Sequence, residues 1–157
     1  MVKVIAEIGI NHNGDLDLCK KMIAAAKEAG ADAVKFQKRD PDTCVPDHQK
    51  NMIRQTPWGE MTYLEYKHKI EFSKTEYDEI RRYCREIDID WFLSVWDIKS
   101  LHFALTYGNR LVKIPSALAT DEDLIRRAGS NFDNVIVSTG MCNFQEVVKM
   151  TERFKHT

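Results

Sequence analysis

The strongest constraint on the fold is a repeated alternation between strand-like and helix-like periodicity along the chain. Five short segments rich in apolar and β-branched residues are each followed by apolar residues at helical spacing. The predicted strands are 2–10, 33–36, 91–96, 111–114 and 134–138. The predicted helices are 16–29, 63–72, 74–87, 98–107, 121–128 and 144–154.

This alternation predicts an α/β fold with parallel strands joined by right-handed crossovers, because each strand is apolar on both faces. Two architectures fit the pattern, an open doubly wound sheet and a barrel. A complete (β/α)8 barrel takes about 250 residues. The 157 residues hold five βα units, so a barrel of this length is a partial TIM-type barrel. We assign residues 1–157 to a single domain.

Composition excludes several classes of partner. The 23 Lys and Arg nearly balance the 24 Asp and Glu, so no net field would attract nucleic acid or an anionic membrane. No run of about 20 apolar residues predicts a transmembrane helix, and no signal peptide is evident, so we expect a cytoplasmic protein.

The four cysteines form no C-x-x-C pair and are interpreted as reduced thiols used in packing.

Two polar segments receive different interpretations. Residues 39–59 contain three prolines and are predicted to be one long irregular loop after the second strand, of the kind that often carries function. The charge-rich stretch 67–74 is predicted to be a solvated helix face. Ser73 and Glu76 predict a capping box at the start of the helix that follows.

Two lysines within predicted strands are the strongest local signal of chemistry. Lys35 and Lys113 have apolar neighbours, so their ammonium groups must meet an anion or a carboxylate inside the protein. Together with the hydroxyl groups of Ser116 and Ser138 they would form a pocket for phosphate or carboxylate. Glu7, within the first strand, could accept a proton or bind a sugar hydroxyl.

Other interpretations of these residues stay open. Glu7 could simply form a structural ion pair with one of the lysines, and a buried lysine could form a Schiff base. His12 and His48 could ligate a metal, although a single loop histidine more often hydrogen-bonds or faces water. No second ligand stands at metal-binding spacing, so no complete metal site is predicted in this chain.

Five motifs together carry a family resemblance. In chain order they are EIGINHNG at 7–14, AVKFQ at 33–37, TPWGEMTYLEYK at 56–67, KIPSA at 113–117 and STGM at 138–141. The chain resembles the N-acetylneuraminate (sialic acid) synthase family over its whole length. The TPWGEMTYLEYK segment is the most distinctive of the five.

The resemblance implies a (β/α)8 barrel that condenses phosphoenolpyruvate with an N-acetylated sugar such as N-acetylmannosamine, releasing phosphate, with a divalent Mn or Mg ion. It implies that Lys35, Lys113, Ser116 and Ser138 hold the phosphate and carboxylate of phosphoenolpyruvate, and that Glu7 faces the acceptor sugar. We therefore expect the catalytic residues to be Glu7, Lys35 and Lys113. The expected substrate-binding residues are Gln37, Ser94, Ser116 and Ser138.

The same resemblance defines what these residues lack. The family's metal-binding histidines, three further strands and a small C-terminal domain have no counterpart here, so the metal ligands are expected outside this chain. Two functions stay open: a synthase completed by a second chain or a longer gene, and a truncated barrel that binds phosphorylated ligands or only self-associates. Open strand edges predict a homo-oligomer or a complementary chain in either case.

Overall fold

The computed structural model describes residues 2–154, with residue 153 described by its backbone alone. It divides into two compact units, Met1–Trp91 and Phe92–Thr157. The assignment of a single domain stays a prediction.

The first unit combines a parallel strand pair, two long helices and a hairpin. Its elements are β1 (Ile5–Gly9), α1 (Leu16–Glu28), β2 (Ala33–Lys38), α2 (Pro41–Cys44), α3 (Asp47–Lys50), β3 (Ile53–Thr56), β4 (Gly59–Thr62), α4 (Tyr63–Ile70) and α5 (Lys74–Glu86). β1 and β2 are parallel, with Glu7 opposite Lys35, and the register shifts between Glu7 and Gly9. β3 and β4 form an antiparallel hairpin.

The second unit continues the strand–helix alternation. Its elements are β5 (Asp90–Val95), whose first two residues belong to the first unit, α6 (Ile98–Leu105), β6 (Leu111–Ile114), α7 (Glu122–Asn131), β7 (Asn134–Val137) and α8 (Phe144–Arg153). β5 pairs with β6 and β6 with β7, both in parallel. The predicted parallel α/β pattern is confirmed.

Side-chain caps explain where several helices begin. Ser73 and Glu76 form the predicted capping box of α5, and Thr62 and Glu65 form another at the start of α4. In each box the two side chains satisfy backbone N–H groups that the first helical turn leaves without partners. Asp15 caps α1 by accepting a hydrogen bond from the backbone N–H of Leu18 at 2.9 Å.

The core of the first unit lies between the strand pair and the long helices. Ile23, Val34, Phe36 and Ile80 are fully buried. The ring of Tyr77 lies edge-on to that of Phe36, with ring centroids 6.2 Å apart. The Tyr77 hydroxyl donates a hydrogen bond to the backbone carbonyl of Gln37 at 3.0 Å, which ties α5 to the end of β2.

The cysteines are free thiols, and two of them pack in the core. Cys19 and Cys84 are buried, whereas Cys44 and Cys142 are half-buried. Burial raises the pKa of both Cys19 and Cys84 to about 12. These two side chains therefore behave as small apolar groups rather than nucleophiles.

The prediction of an irregular loop over 39–59 was wrong. The segment contains α2, α3 and β3, and β4 begins at Gly59. The strands of the hairpin are four residues long and largely exposed. Because neither strand buries a face, the sequence shows no alternation of apolar and polar residues that would reveal them.

The prediction of a solvated face over 67–74 was wrong for the charged residues Lys67 and Glu71, whose side chains are buried. Lys67 is 7% exposed. It lies one turn after Tyr63 and three residues before the buried Ile70, on the inner face of α4. Helical spacing thus places it with the apolar residues in spite of its charge.

Among residues 2–154, no helix is both long enough and apolar enough to cross a bilayer.

Candidate functional site

The first feature of the candidate site is an ion pair between neighbouring parallel strands. Glu7 of β1 and Lys35 of β2 are partners in the register, and the Lys35 ammonium contacts Glu7 Oε2. The Lys35 side chain is 10% exposed, whereas that of Glu7 is 48% exposed. A buried cation is thus held by a carboxylate that solvent and a ligand can reach.

The backbone at Gly9 brings the Glu7 carboxylate close to Gln37. A Cβ added at Gly9 would lie 2.8 Å from Glu7 Oε1 and 3.4 Å from Gln37 Nε2. The lack of a side chain at residue 9 therefore leaves room for both groups at the end of the strand pair. Gln37 Oε1 in turn accepts a hydrogen bond from Arg39 Nη2.

A buried carboxylate organises the cations that follow β2. The Glu71 side chain is 8% exposed, and its Oε1 accepts hydrogen bonds from Lys38 Nζ at 2.9 Å and from the Arg39 backbone N–H at 3.2 Å. Burial raises the pKa of Glu71, and the charges of Lys38 and Arg39 oppose that shift. Glu71 also ends α4, so this cluster joins α4 to β2.

Lys67 adds another cation beside this cluster. Its Nζ lies 5.0 Å from the ring centroid of Tyr63 and 5.2 Å from that of Tyr66. Burial lowers the pKa of Lys67 to about 8; the positive charges of Arg39 and Arg54 act in the same direction, and Glu71 opposes them. The Arg54 guanidinium lies 5.1 Å from the Tyr63 ring centroid.

The candidates of the second unit lie on β6 and its neighbours. Ser94 of β5 is fully buried and is opposite Lys113 of β6 in the parallel register. Paired residues of adjacent strands project from the same face of a sheet, so these two side chains share a face. Lys113 is half-buried.

The two other serines of the second unit lie just beyond strand ends. Ser116 begins a short 3₁₀ turn after β6, and its carbonyl accepts a hydrogen bond from the Ala119 backbone N–H at 3.2 Å. The backbone N–H of Ser138 donates to the Ile114 carbonyl at 3.1 Å. Both residues are half-buried at positions where parallel α/β folds place binding groups.

His12 packs and hydrogen-bonds within the first unit. Its ring stacks on Phe72 with centroids 3.9 Å apart, and its Nδ1 accepts a hydrogen bond from the Gly14 backbone N–H at 3.1 Å. Burial lowers its pKa to about 4, with a backbone hydrogen bond at Gly9 and the charge of Asp15 opposing the shift. His12 therefore hydrogen-bonds, as expected of a single loop histidine.

Residues 2–154 contain no group of three His, Cys, Asp or Glu side chains that could hold a metal ion. The described residues therefore do not fit a metal centre.

The structure brings together some predicted site residues and adds others. Glu7, Lys35 and Gln37 are neighbours in the first unit, and Ser94 and Lys113 are neighbours in the second. The residues that the sequence reasoning missed are Arg39, Arg54, Lys67 and Glu71. The helical spacing of Tyr63, Lys67 and Ile70 is the signal that could have identified the buried lysine.

Comparison with known proteins gives a consistent picture. The chain is 35% identical to the N-acetylneuraminate-9-phosphate synthase of Drosophila melanogaster, over 99% of this chain and 42% of that protein. It is 36% identical to the N,N'-diacetyllegionaminic acid synthase of Legionella pneumophila, over 92% of this chain and 41% of that protein. The chain thus spans about two fifths of the length of these relatives.

The fold is also shared with a solved structure. The N-acetylneuraminic acid (sialic acid) synthetase of Leptospira borgpetersenii, crystallised with citrate, superposes with a TM-score of 0.86 at 26% identity. The match covers 99% of this chain and 50% of that one. This likeness supports the assignment of the five βα units to the TIM-type barrel class of α/β folds.

A family model gives the most direct assignment. The NeuB family model matches residues 22–157, which is most of the chain. The match includes the last four of the five motifs that carry the resemblance and most of the elements of both units. The chain belongs to the NeuB family.

Proposed function

We propose that this chain carries the phosphoenolpyruvate-binding part of a sialic acid synthase-type enzyme. The proposed reaction condenses phosphoenolpyruvate with an N-acetylated sugar such as N-acetylmannosamine and releases phosphate. The observation that carries the proposal is the pairing of the buried Lys35 ammonium with the half-exposed Glu7 carboxylate. Membership of the NeuB family and the names of the relatives support the reaction class.

The reaction balances with one molecule of water. The methylene carbon of phosphoenolpyruvate forms a carbon–carbon bond to the aldehyde carbon of the open-chain sugar, whose oxygen gains a proton and becomes a hydroxyl group. Water adds its oxygen atom to carbon 2 of the phosphoenolpyruvate unit, the bond between that carbon and the phosphate oxygen breaks, and the products are a 2-keto acid and inorganic phosphate. No oxidant or reductant is needed.

Each proposed residue has a role that matches its chemistry. Lys35 and Lys113 would bind the phosphate and carboxylate of phosphoenolpyruvate through charge-assisted hydrogen bonds, with the hydroxyl groups of Ser116 and Ser138 as further donors. Ser94 would support Lys113 from the neighbouring strand. Glu7 would orient a sugar hydroxyl or accept a proton, beside the amide of Gln37.

The Glu7–Lys35 pair supports a non-covalent role for Lys35. A Schiff base forms when an unprotonated amine attacks a carbonyl carbon. The Lys35 ammonium instead contacts the Glu7 carboxylate, and a lysine paired in this way can bind a ligand anion without forming a covalent bond. Borohydride reduction in the presence of pyruvate tests this point, because a stable adduct on Lys35 would establish the covalent alternative.

Family membership suggests a metal-dependent synthase. We propose Mn or Mg as the ion, with ligands that are not among the described residues.

The test is release of inorganic phosphate from phosphoenolpyruvate, with and without N-acetylmannosamine, in the presence of Mn²⁺, by this chain combined with the second chain or the rest of the longer protein that supplies the metal ligands. We expect release that depends on the sugar and that falls by about 100-fold or more in Glu7→Gln, a typical loss for a general base. Lys74→Gln, which removes an exposed ion pair with Asp78, is the matched control and should retain the rate. Binding of phosphoenolpyruvate without phosphate release would instead support a fragment that binds phosphorylated ligands without turnover.

A further inference from the structure

A pocket beside the β3–β4 hairpin has no role in the proposed reaction. Its volume is about 370 Å³, and it is lined by Arg54, Gln55, Thr56, Pro57, Tyr63 and Tyr66. Hairpin residues form one wall, and the first turn of α4 forms the other. The Lys67 ammonium lies near the rings of Tyr63 and Tyr66, which form part of this second wall.

The charge of Lys67 is not neutralised by an ion pair. Among residues 2–154, no carboxylate lies within 4.0 Å of its ammonium, although its side chain is buried. The nearby Glu71 carboxylate already accepts hydrogen bonds from Lys38 and from the Arg39 backbone. An ammonium that ends a largely buried side chain, beside aromatic rings and without an ion-pair partner, favours an added anion.

The neighbouring charges further favour the binding of an anion beside Lys67. Arg39 and Arg54 both disfavour the charged form of Lys67, and Glu71 is the carboxylate that favours it. The other carboxylates of the hairpin and of the start of α4 are engaged elsewhere: Glu60 accepts a hydrogen bond from Gln55, and Glu65 closes the capping box with Thr62. The surroundings of Lys67 are therefore strongly cationic.

We propose that this pocket is a binding site for a phosphate-class oxyanion, with Arg54 as the charged residue that lines it and the Lys67 ammonium as a second positive charge beside its tyrosine wall. Both cations lie near the Tyr63 ring, at 5.0 and 5.1 Å from its centroid, so an anion bound at that ring is close to both charges. A guanidinium binds a phosphate through two parallel hydrogen bonds, and an ammonium adds a point charge. The site does not include Lys35 or Lys113, so it is separate from the proposed phosphoenolpyruvate contacts.

The phosphate could come from either of two sources. Arg39 lies between the Glu7–Lys35 pair and the pocket. Its guanidinium donates a hydrogen bond to Gln37, and its charge lowers the pKa of Lys67. A phosphate group on the acceptor sugar could therefore occupy the pocket while the sugar lies near Gln37. A separate phosphorylated metabolite could equally bind there alone.

The experiment titrates the chain with inorganic phosphate and follows the Lys67 side-chain signals by NMR. We expect saturable shifts in the wild type and in Lys35→Met, a background that removes a proposed phosphoenolpyruvate contact. The affinity, measured by calorimetry, should fall about tenfold or more in Lys67→Gln and in Arg54→Gln, and should be retained in the control Lys74→Gln. Binding that is absent in the wild type, or unchanged in Lys67→Gln and Arg54→Gln, would overturn the proposal.

A pH series supplies a second readout on the same site. Because the Lys67 ammonium loses its proton near pH 8, phosphate affinity should fall as the pH rises from 7 to 9. The groups that face Lys67 are Arg39, Arg54, Glu71 and the two tyrosines. Lys67→Arg, which stays charged, should keep its affinity at pH 9, and an equal fall in both proteins would contradict the role of Lys67.

Two sugar probes distinguish the sources of the phosphate. If the pocket serves the acceptor, N-acetylmannosamine 6-phosphate should bind more tightly than either N-acetylmannosamine or inorganic phosphate. If it serves a separate metabolite, the sugar phosphate should bind no more tightly than inorganic phosphate. In both cases Lys67→Gln must weaken the binding of the phosphorylated probe.

Discussion

At the scale of single residues, two buried lysines in the first unit have different surroundings. Lys35 contacts the Glu7 carboxylate, whereas Lys67 lies against two tyrosine rings with Arg39 and Arg54 nearby. In the Glu7–Lys35 pair, the carboxylate holds the ammonium in place, and an anionic ligand can bind beside the carboxylate or replace it. The surroundings of Lys67 leave a positive potential that an incoming anion would relieve.

His12 gives a prediction about acid stability. Its pKa is about 4 in the folded chain against an ordinary value of 6.5, so the unfolded state binds more protons between these pH values. The free energy of unfolding should therefore be retained above pH 6.5 and fall by about 2 to 3 kcal/mol as the pH drops towards 4. Chemical denaturation at several pH values measures this loss.

The matched variant for this prediction is His12→Phe, which keeps a ring against Phe72 but cannot take up a proton. Its unfolding free energy should depend less steeply on pH over the same range. A slope equal to that of the wild type would show that other groups cause the acid sensitivity.

The site residues differ in how far the sequence could predict them. Lys35 could be identified because a charged residue within an apolar strand needs a partner, and its proximity to Glu7 was one of the interpretations left open. Lys67 was missed because the surrounding charges suggested a solvated face. Arg39 follows the end of β2, and Arg54 lies in the β3–β4 hairpin. At neither position does a periodic pattern in the sequence show which way the side chain points.

At the scale of elements, the β1–α1 loop packs directly against the end of α4. A Cβ added at Gly14 would lie 2.4 Å from the backbone carbonyl oxygen of Lys69, and Gly14 has φ +74°. The same loop contains His12, which stacks on Phe72 just beyond α4. This contact connects the loop that carries the EIGINHNG motif to the helix that carries the oxyanion pocket.

Gly14→Ala tests the importance of this contact. We expect a loss of about 2 to 4 kcal/mol in the free energy of unfolding, because backbone strain adds to a clash with main-chain atoms. Gly30→Ala is the matched control: it has φ +82° but open space around the added methyl group. The control should lose about 1 to 2 kcal/mol, and equal losses in the two variants would contradict close packing of the loop on α4.

The elements themselves were largely predictable. The strand at 111–114 has the predicted bounds, and the other elements of the alternation differ from prediction by a few residues at their ends. The first strand and α7 show the largest of these differences. The first strand differs because the apolar run 2–10 extends beyond the residues that pair with β2. The hairpin was missed because its short exposed strands bury no apolar face.

At the scale of the whole molecule, the outer strands leave backbone groups without a sheet partner. Within residues 2–154, β1 has a strand partner on one side, β2, and β7 likewise has one, β6. Val4 and Ile5 at one edge and Ile136 at the other are exposed apolar residues. Edges of this kind favour pairing with another chain.

We therefore expect the 157-residue chain to associate at micromolar concentration. Sedimentation velocity should show species larger than a monomer, and Val4→Lys together with Ile136→Lys should shift them towards monomer, because charges at an edge oppose strand pairing. A wild-type monomer that melts cooperatively would contradict this prediction.

The central claim is that strand lysines bind phosphoenolpyruvate, and calorimetric titration with that ligand tests it most directly. Lys35→Met and Lys113→Met should each weaken binding by about 1.5 to 3 kcal/mol, the contribution of one hydrogen bond to a charged group. The control Lys74→Met, at an exposed ion pair, should bind like the wild type. Equal affinities in the wild type and both strand-lysine variants would contradict the claim.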